Sequence, residues 1–250
     1  MIQIKSDEEV EKMAEAGRIT ALGMQAVAEA IRPGVSTWEL DRIARRTLNK
    51  LKARPAFLNY GGFPGSICAS QNSVVVHGIP SRRNILREGD IISIDIGAVY
   101  GGYVGDMART FPVGEVSEEA KRLIRVTEEA FWKGIEFARV GFRLGDLSNA
   151  IQEHAEAAGF GVVRDYVGHG IGEEMHEDPA VPNYGTPGHG LRFEKGLVIA
   201  VEPMVNLGTW EVTTDDDDGW TVRTADGKIS AHYENTIAVT DGDPRILTTI

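Results

Sequence analysis

The sequence predicts an α/β protein, of the α+β kind, assembled from two related halves. Three observations predict it. Capped amphipathic segments alternate with short β-branched runs, the second half repeats the order of the first at a constant spacing, and an acidic residue closes the same strand in each half. With 250 residues, 42% hydrophobic and 25% charged, the chain can bury a substantial core and is expected to form one domain over 1–250, with internal halves 1–112 and 113–250.

The elements follow in order. Ser6 with Glu9 makes a capping box, and Val10, Met13, Ala14, Ala21 and Leu22 give one apolar face, predicting a helix that stops before Pro33 and Gly34. Ser36 with Glu39 opens a second helix, to about Leu51. A turn-rich aromatic stretch, Phe57 to Gly65, leads to a strand at Val74 to His77. Gly89 and Asp90 turn the chain into a strand at Ile91 to Ile96, and Tyr100, Gly101 and Gly102 form a hairpin turn into a strand at Tyr103 to Phe111. Ser117 caps a helix to about Arg139, Gly141 breaks it, and another helix runs from about Leu144 to Ala158. Strands are expected near Val162 to Val167, Leu197 to Glu202 and Ala231 to Val239.

Arg32, Gly34 and Leu40 correspond to Arg139, Gly141 and Leu147, each 107 residues on. Gly89 to Asp95 matches Gly196 to Glu202 at the same offset of 107. Two helix-helix-strand units in constant register predict halves facing each other across a pseudo-twofold axis, each sending a carboxylate to the middle.

The bulk properties exclude several classes. A formal charge of −11 argues against a general nucleic-acid surface, which needs clustered Lys and Arg; a local basic patch stays open. Cys68 is the only cysteine, so neither an intrachain disulfide nor a thiolate zinc finger is available, which fits a reducing compartment. Met1 to Arg18 is charged and helix-patterned where a signal peptide would be apolar, and no apolar run approaches the ~18 residues that span a bilayer. A cytoplasmic protein with no membrane association is expected.

Side chains alternate along a strand, so Ser93 and Asp95 look away from Ile92, Ile94 and Ile96. By the same rule Val104, Asp106, Ala108 and Thr110 share a face, as do His232, Glu234, Thr236 and Ala238. With Glu202, four carboxylates sit on sheet-forming segments. One such acid is as well explained by a salt bridge; four that converge are not, because unit charges near 4 Å repel by roughly 4 kcal/mol at an effective dielectric of 20. Divalent metal is the natural counterion. His169 projects from the glycine-rich Gly168 to Gly172, where a buried structural histidine is the competing reading. One imidazole with carboxylates suits Mn(II), Fe(II), Co(II) or Zn(II).

At these residues the chain resembles the methionine aminopeptidases, specifically the short bacterial type I form. The resemblance covers nearly the whole length. It rests on Val76-His77-Gly78-Ile79-Pro80, the Asp95 and Asp106 pair, Gly168-His169-Gly170-Ile171-Gly172 with His176-Glu177, Glu202-Pro203-Met204, and Tyr233-Glu234-Asn235-Thr236. It implies a pita-bread fold holding two divalent ions. Asp95 would chelate one ion, His169 would bind the other, Asp106 and Glu234 would bridge them, and Glu202 would be both ligand and general base toward a bridging water. His77 would contact substrate near the scissile bond, and His176 would hydrogen-bond the carbonyl oxygen. Tyr60, Phe63, Cys68, Met175 and Trp220 would line the methionine pocket, although ordinary core packing also explains such residues. The implied substrates are nascent polypeptide N-termini with a small second residue, the ribosome a transient partner, and the enzyme a monomer.

Two positions depart from the family pattern: Phe57 stands where some relatives carry Cys, and Gly97 where many carry Thr. The nearest rival is a proline-specific aminopeptidase of the same fold, a group that usually adds an N-terminal domain. A pita-bread binding protein that had lost catalysis would have lost ligands, whereas all five are present. His154 and His189 are expected to be solvated, Asp215 to Asp218 to form a solvated turn, and His232 is assigned no role.

Overall fold

The computed structural model describes residues 2–250. Helix α1 (Asp7–Ala28) opens on the Ser6–Glu9 capping box and α2 (Thr37–Lys50) on the Ser36–Glu39 box. Then come β1 (Arg54–Pro55), a 3-10 turn at Tyr60–Gly62, β2 (Ile67–Gln71), β3 (Val74–Val76), β4 (Ile91–Tyr100) and β5 (Tyr103–Pro112). Gly101 and Gly102, with φ of 61° and 88°, make the tight primed turn of the β4–β5 hairpin, which only glycine enters without strain. The second half begins with α3 (Glu118–Ile135) and α4 (Leu144–Ala157). Its strands are β6 (Gly161–Val162), β7 (Gly168–Gly170), β8 (Glu177–Val181), β9 (Val198–Val201), β10 (Met204–Asn206), β11 (Val212–Thr214), β12 (Val222–Thr224), β13 (Ser230–His232), β14 (Glu234–Ala238) and β15 (Arg245–Ile246).

The repeat is geometric. Both α4 and β9 start 107 residues after α2 and β4, and α4 ends 107 after α2. The main sheet runs β1-β4-β5-β14-β9-β7-β8, so the halves meet where β5 pairs antiparallel with β14. Helices cover one face only. Ile92, Ile94, Ile96 and Ala98 of β4 pack under α1 and α2, while Ile199, Val201 and Ile237 pack with Phe131, Leu147 and Ile151 of α3 and α4. The mixed α/β fold with two related halves is therefore present.

Several boundaries differ from expectation. A strand at Ile67–Gln71, between the turn-rich stretch and the strand expected at Val74, pairs with β4. The run near Val162 to Val167 is extended only at Gly161–Val162. The third helix stops at Ile135, ahead of Arg139. The terminal strand breaks at Tyr233, so that β13 joins β10 while β14 joins the main sheet.

Candidate metal centre and substrate cavity

Cross-strand partners face the same side of a sheet, so the register alone assembles the site on the face that the helices leave bare. In one row Cys68 of β2 pairs with Asp95 of β4, Asp95 with Ala108 of β5, and Ala108 with Glu234 of β14. Continuing the β14–β9 register by one step sets Glu202 beside Glu234. In the next row Gly97 pairs with Asp106, and Thr236 with Ala200, which pairs with His169. Thr236 joins this second row across the seam: its Oγ1 accepts from the Asp106 N–H at 3.0 Å and donates to the Asp106 carbonyl at 2.9 Å.

The five predicted ligands thus meet. His169 Nε2 lies 3.8 Å from Asp106 Oδ2 and 3.6 Å from Glu202 Oε1. One donor atom from each of Asp106, His169 and Glu234 falls within 4.8 Å of the others, a spacing suited to a shared cation. His169 Nδ1 donates to the Gly170 carbonyl at 2.8 Å, which leaves the Nε2 lone pair facing the carboxylates, as in many metal-bound histidines.

Whether metal fits is decided by what the carboxylates lack. Among the described residues none of Asp95, Asp106, Glu202 and Glu234 pairs with Lys or Arg, and Asp95 Oδ1, Asp106 Oδ1 and Glu234 Oε1 are buried without a hydrogen-bond partner. Burial drives every one of them upward: Asp95 to about 7, Glu202 to about 8, and Asp106 and Glu234 well above the usual carboxylate range, the last two also through their acidic neighbours. Burial lowers His169 to about 4, so its ring is neutral and a competent donor. Orphaned oxygens and a neutral imidazole fit divalent metal.

Sequence reasoning missed His232. It is 2% exposed, with an unpartnered Nε2 at 3.6 Å from Glu202 Oε2 and 4.0 Å from Glu234 Oε2. Its even-numbered parity with Glu234 was the available signal. His154 instead bonds Glu129 on the surface at 3.1 Å, and His189 is exposed. The Asp215 to Asp218 turn is mostly exposed, yet Asp218 accepts from the Trp220 and Thr221 N–H groups at 2.8 Å and thereby seats Trp220.

A cavity of about 200 Å³ opens onto the carboxylates. Tyr60, Phe63, Cys68, Met175 and Trp220 line its apolar side, joined by Phe57. Phe63 meets Trp220 edge to face at 5.3 Å. His77 and His176 stand at the junction of the two sides. His77 has a φ of 58°, a left-handed conformation costing a β-carbon residue about 1 kcal/mol, and its ring stacks edge-on to Tyr166 at 5.5 Å. Burial lowers the His77 ring to about 4. His176 is at the rim, its Nδ1 2.9 Å from the Tyr60 hydroxyl and its ring centroid 4.3 Å from that of His169.

Gly97 explains both departures from the family pattern at once. A β-carbon there would lie 2.9 Å from Ala56 Cβ and 3.0 Å from Phe57 Cε1, so the Phe57 ring occupies space that a side chain at 97 would need.

Among the described residues no helix is long and apolar enough to cross a membrane. Residues 11–241 match metallopeptidase family M24. The chain is 56% identical to a methionine aminopeptidase of Clostridium acetobutylicum over 99% of both sequences. A crystal structure of a methionine aminopeptidase from Thermotoga maritima superposes with a TM-score of 0.98 at 48% identity over 100% of both chains. A prolidase from Pyrococcus furiosus superposes with a TM-score of 0.79 at 25% identity, over 99% of this chain and 65% of that one. Fold, matched span and full-length identity agree, and the chain belongs to metallopeptidase family M24, among its methionine aminopeptidases.

Proposed function

We propose that this enzyme removes the N-terminal methionine from nascent polypeptides whose second residue is small, acting in the cytoplasm as a monomer that meets the ribosome transiently. The observation that carries the reading is the junction of a carboxylate-imidazole cluster with an apolar, sulfur-bearing cavity of about 200 Å³. Asp95, Asp106, His169, Glu202 and Glu234 would hold two divalent ions of Co, Mn, Fe(II) or Zn. Bound there, the ions would polarise the scissile carbonyl and lower the pKa of the attacking water.

The chain's own residues do the rest. Glu202, at the edge of the cluster and ionised once cations replace the proton that burial holds on it, accepts the proton of the attacking water and returns it to the leaving amine. The Tyr60 hydroxyl lies 2.9 Å from His176 Nδ1; with the hydroxyl as donor, the proton of the neutral ring sits on Nε2, available to the carbonyl oxygen as charge develops. His77, neutral and held by Tyr166 and Trp220, orients the peptide. Phe63, Met175 and Cys68 offer the methionine thioether aromatic and sulfur surroundings, with Tyr60 and Trp220 closing the mouth.

The test is a peptide panel with Mn(II) or Co(II), with and without chelator. Met-Ala-Ser is cleaved, Xaa-Pro peptides are not, and chelator abolishes turnover. The reverse preference would move the chain to the proline-specific branch.

A further inference from the structure

Lys5 Nζ lies 2.5 Å from Glu177 Oε2, with the two side chains 4% and 5% exposed. Every other Lys or Arg ion pair among the described residues has both side chains at least 31% exposed. Surface pairs of that kind contribute little, whereas removing two charges from water carries a desolvation cost that their attraction only roughly offsets. A buried pair joining residues 172 apart therefore calls for a geometric reason.

Its surroundings supply one. Glu177 directly follows His176, and its other oxygen accepts from the Glu174 N–H at 3.4 Å, tying together the turn that carries His176. The Lys5 N–H donates to the Gly196 carbonyl at 2.7 Å, and Ile4 bridges Leu197, so Lys5 is anchored to the segment that runs into β9 and on to Glu202. Lys5 Nζ also donates to Gln3 Oε1 at 3.2 Å. The pair packs on the bare Cα of Gly172, where a β-carbon would meet Glu177 Oε1 within 2.4 Å and Lys5 Nζ within 2.6 Å. Gly172 is held in turn by the Val104 N–H at 2.8 Å.

We propose that Lys5 and Glu177 are positioning residues: their buried ion pair latches the His176 turn to the strand that leads to Glu202, setting where the His176 ring stands over the cleft. The inference rests on the role given to His176 above. A shift of ~1 Å in such a group costs on the order of 100-fold in rate without weakening ground-state binding.

The experiment compares K5M, E177Q, K5M/E177Q and K5R in metal-saturated protein of verified metal content. It measures kcat and KM on Met-Ala-Ser, the melting temperature, and the ring 15N signals of His176 in zinc-loaded protein. K5M and E177Q should each lose about 100-fold in kcat with KM nearly unchanged, and the His176 signal should shift or broaden. The double variant, free of any unpaired buried charge, should regain its melting temperature while its kcat stays low, and K5R should recover most of the turnover. A double variant with wild-type kcat, or a His176 signal unmoved in all four, overturns the proposal. H176A separates the two readings: wild-type turnover in that variant removes the catalytic role of His176, whereas the ring signals test the latch independently.

Discussion

Loading the site with divalent metal at pH 7 should expel protons from the carboxylate cluster, more than about one per chain. In the metal-free protein burial pushes Glu202 to about 8 and Asp95 to about 7, and raises Asp106 and Glu234 well above the usual carboxylate range. His169 contributes none, because it is already neutral. The physical cause is visible in the geometry: two unit charges within 4.8 Å, the spacing of the Asp106 and Glu234 donors, repel by roughly 3.5 kcal/mol at an effective dielectric of 20, so the cluster keeps protons until cations replace them or the pH rises. Calorimetric titration with Zn(II) in buffers of different ionisation enthalpy counts the protons released. The binding constants should climb with pH near pH 7 and level off as the carboxylates ionise unaided. Release of fewer than one proton at saturation would refute the view that these carboxylates are neutral without metal.

The remaining predictions share the same assays and variants. In chelator, stability should fall as pH rises from about 7.5 to 9: the folded carboxylates bind protons that the unfolded chain, with pKa values near 4, has released, while the opposing histidine contribution is nearly complete a unit above the unfolded value of about 6.5; a melting temperature rising across that window would contradict it. Glu202→Gln should lower kcat by about 10²- to 10⁴-fold in protein that stays folded, and turnover near wild type would end the general-base assignment. Gly97→Thr should destabilise by about 1–3 kcal/mol through overpacking against Phe57 and Ala56, and Phe57→Cys should recover much of that loss in the double variant; additive effects in the thermodynamic cycle would show that the two positions are uncoupled.

The parts of this molecule written in local chemistry were legible in the sequence. Both capping boxes open helices where Ser6 and Ser36 placed them, and the offset of 107 between Gly89 and Gly196 reappears in the starts of α2 and α4 and of β4 and β9. Strand alternation showed which neighbours share a face with Asp95, with Asp106 and with Glu234, and the cross-strand register is what turns those faces to one side. Ile67 to Gln71 carries no alternation to mark it, because the run is buried on both faces, so only its pairing with β4 makes it a strand. His232 lacked a motif of its own, and its place depends on the break at Tyr233, which packs against Phe131 and under Arg109. Lys5 and Glu177 were invisible as a pair, since nothing local relates two residues 172 apart.

The two-row arrangement of the site has a bearing on how such a chain can vary. Donors on β4, β5, β7 and β14 reach the cleft only because each has the correct parity, so gaining or losing one residue within any of these strands would swing its donor to the helix-covered side. Insertions in the connections carry no such penalty. Lengthening is thus tolerated at the turns, such as the one at Asp215 to Asp218, and forbidden between Ile91 and Asp106, so the natural history of this scaffold should record its changes in the joints and leave the strand lengths untouched.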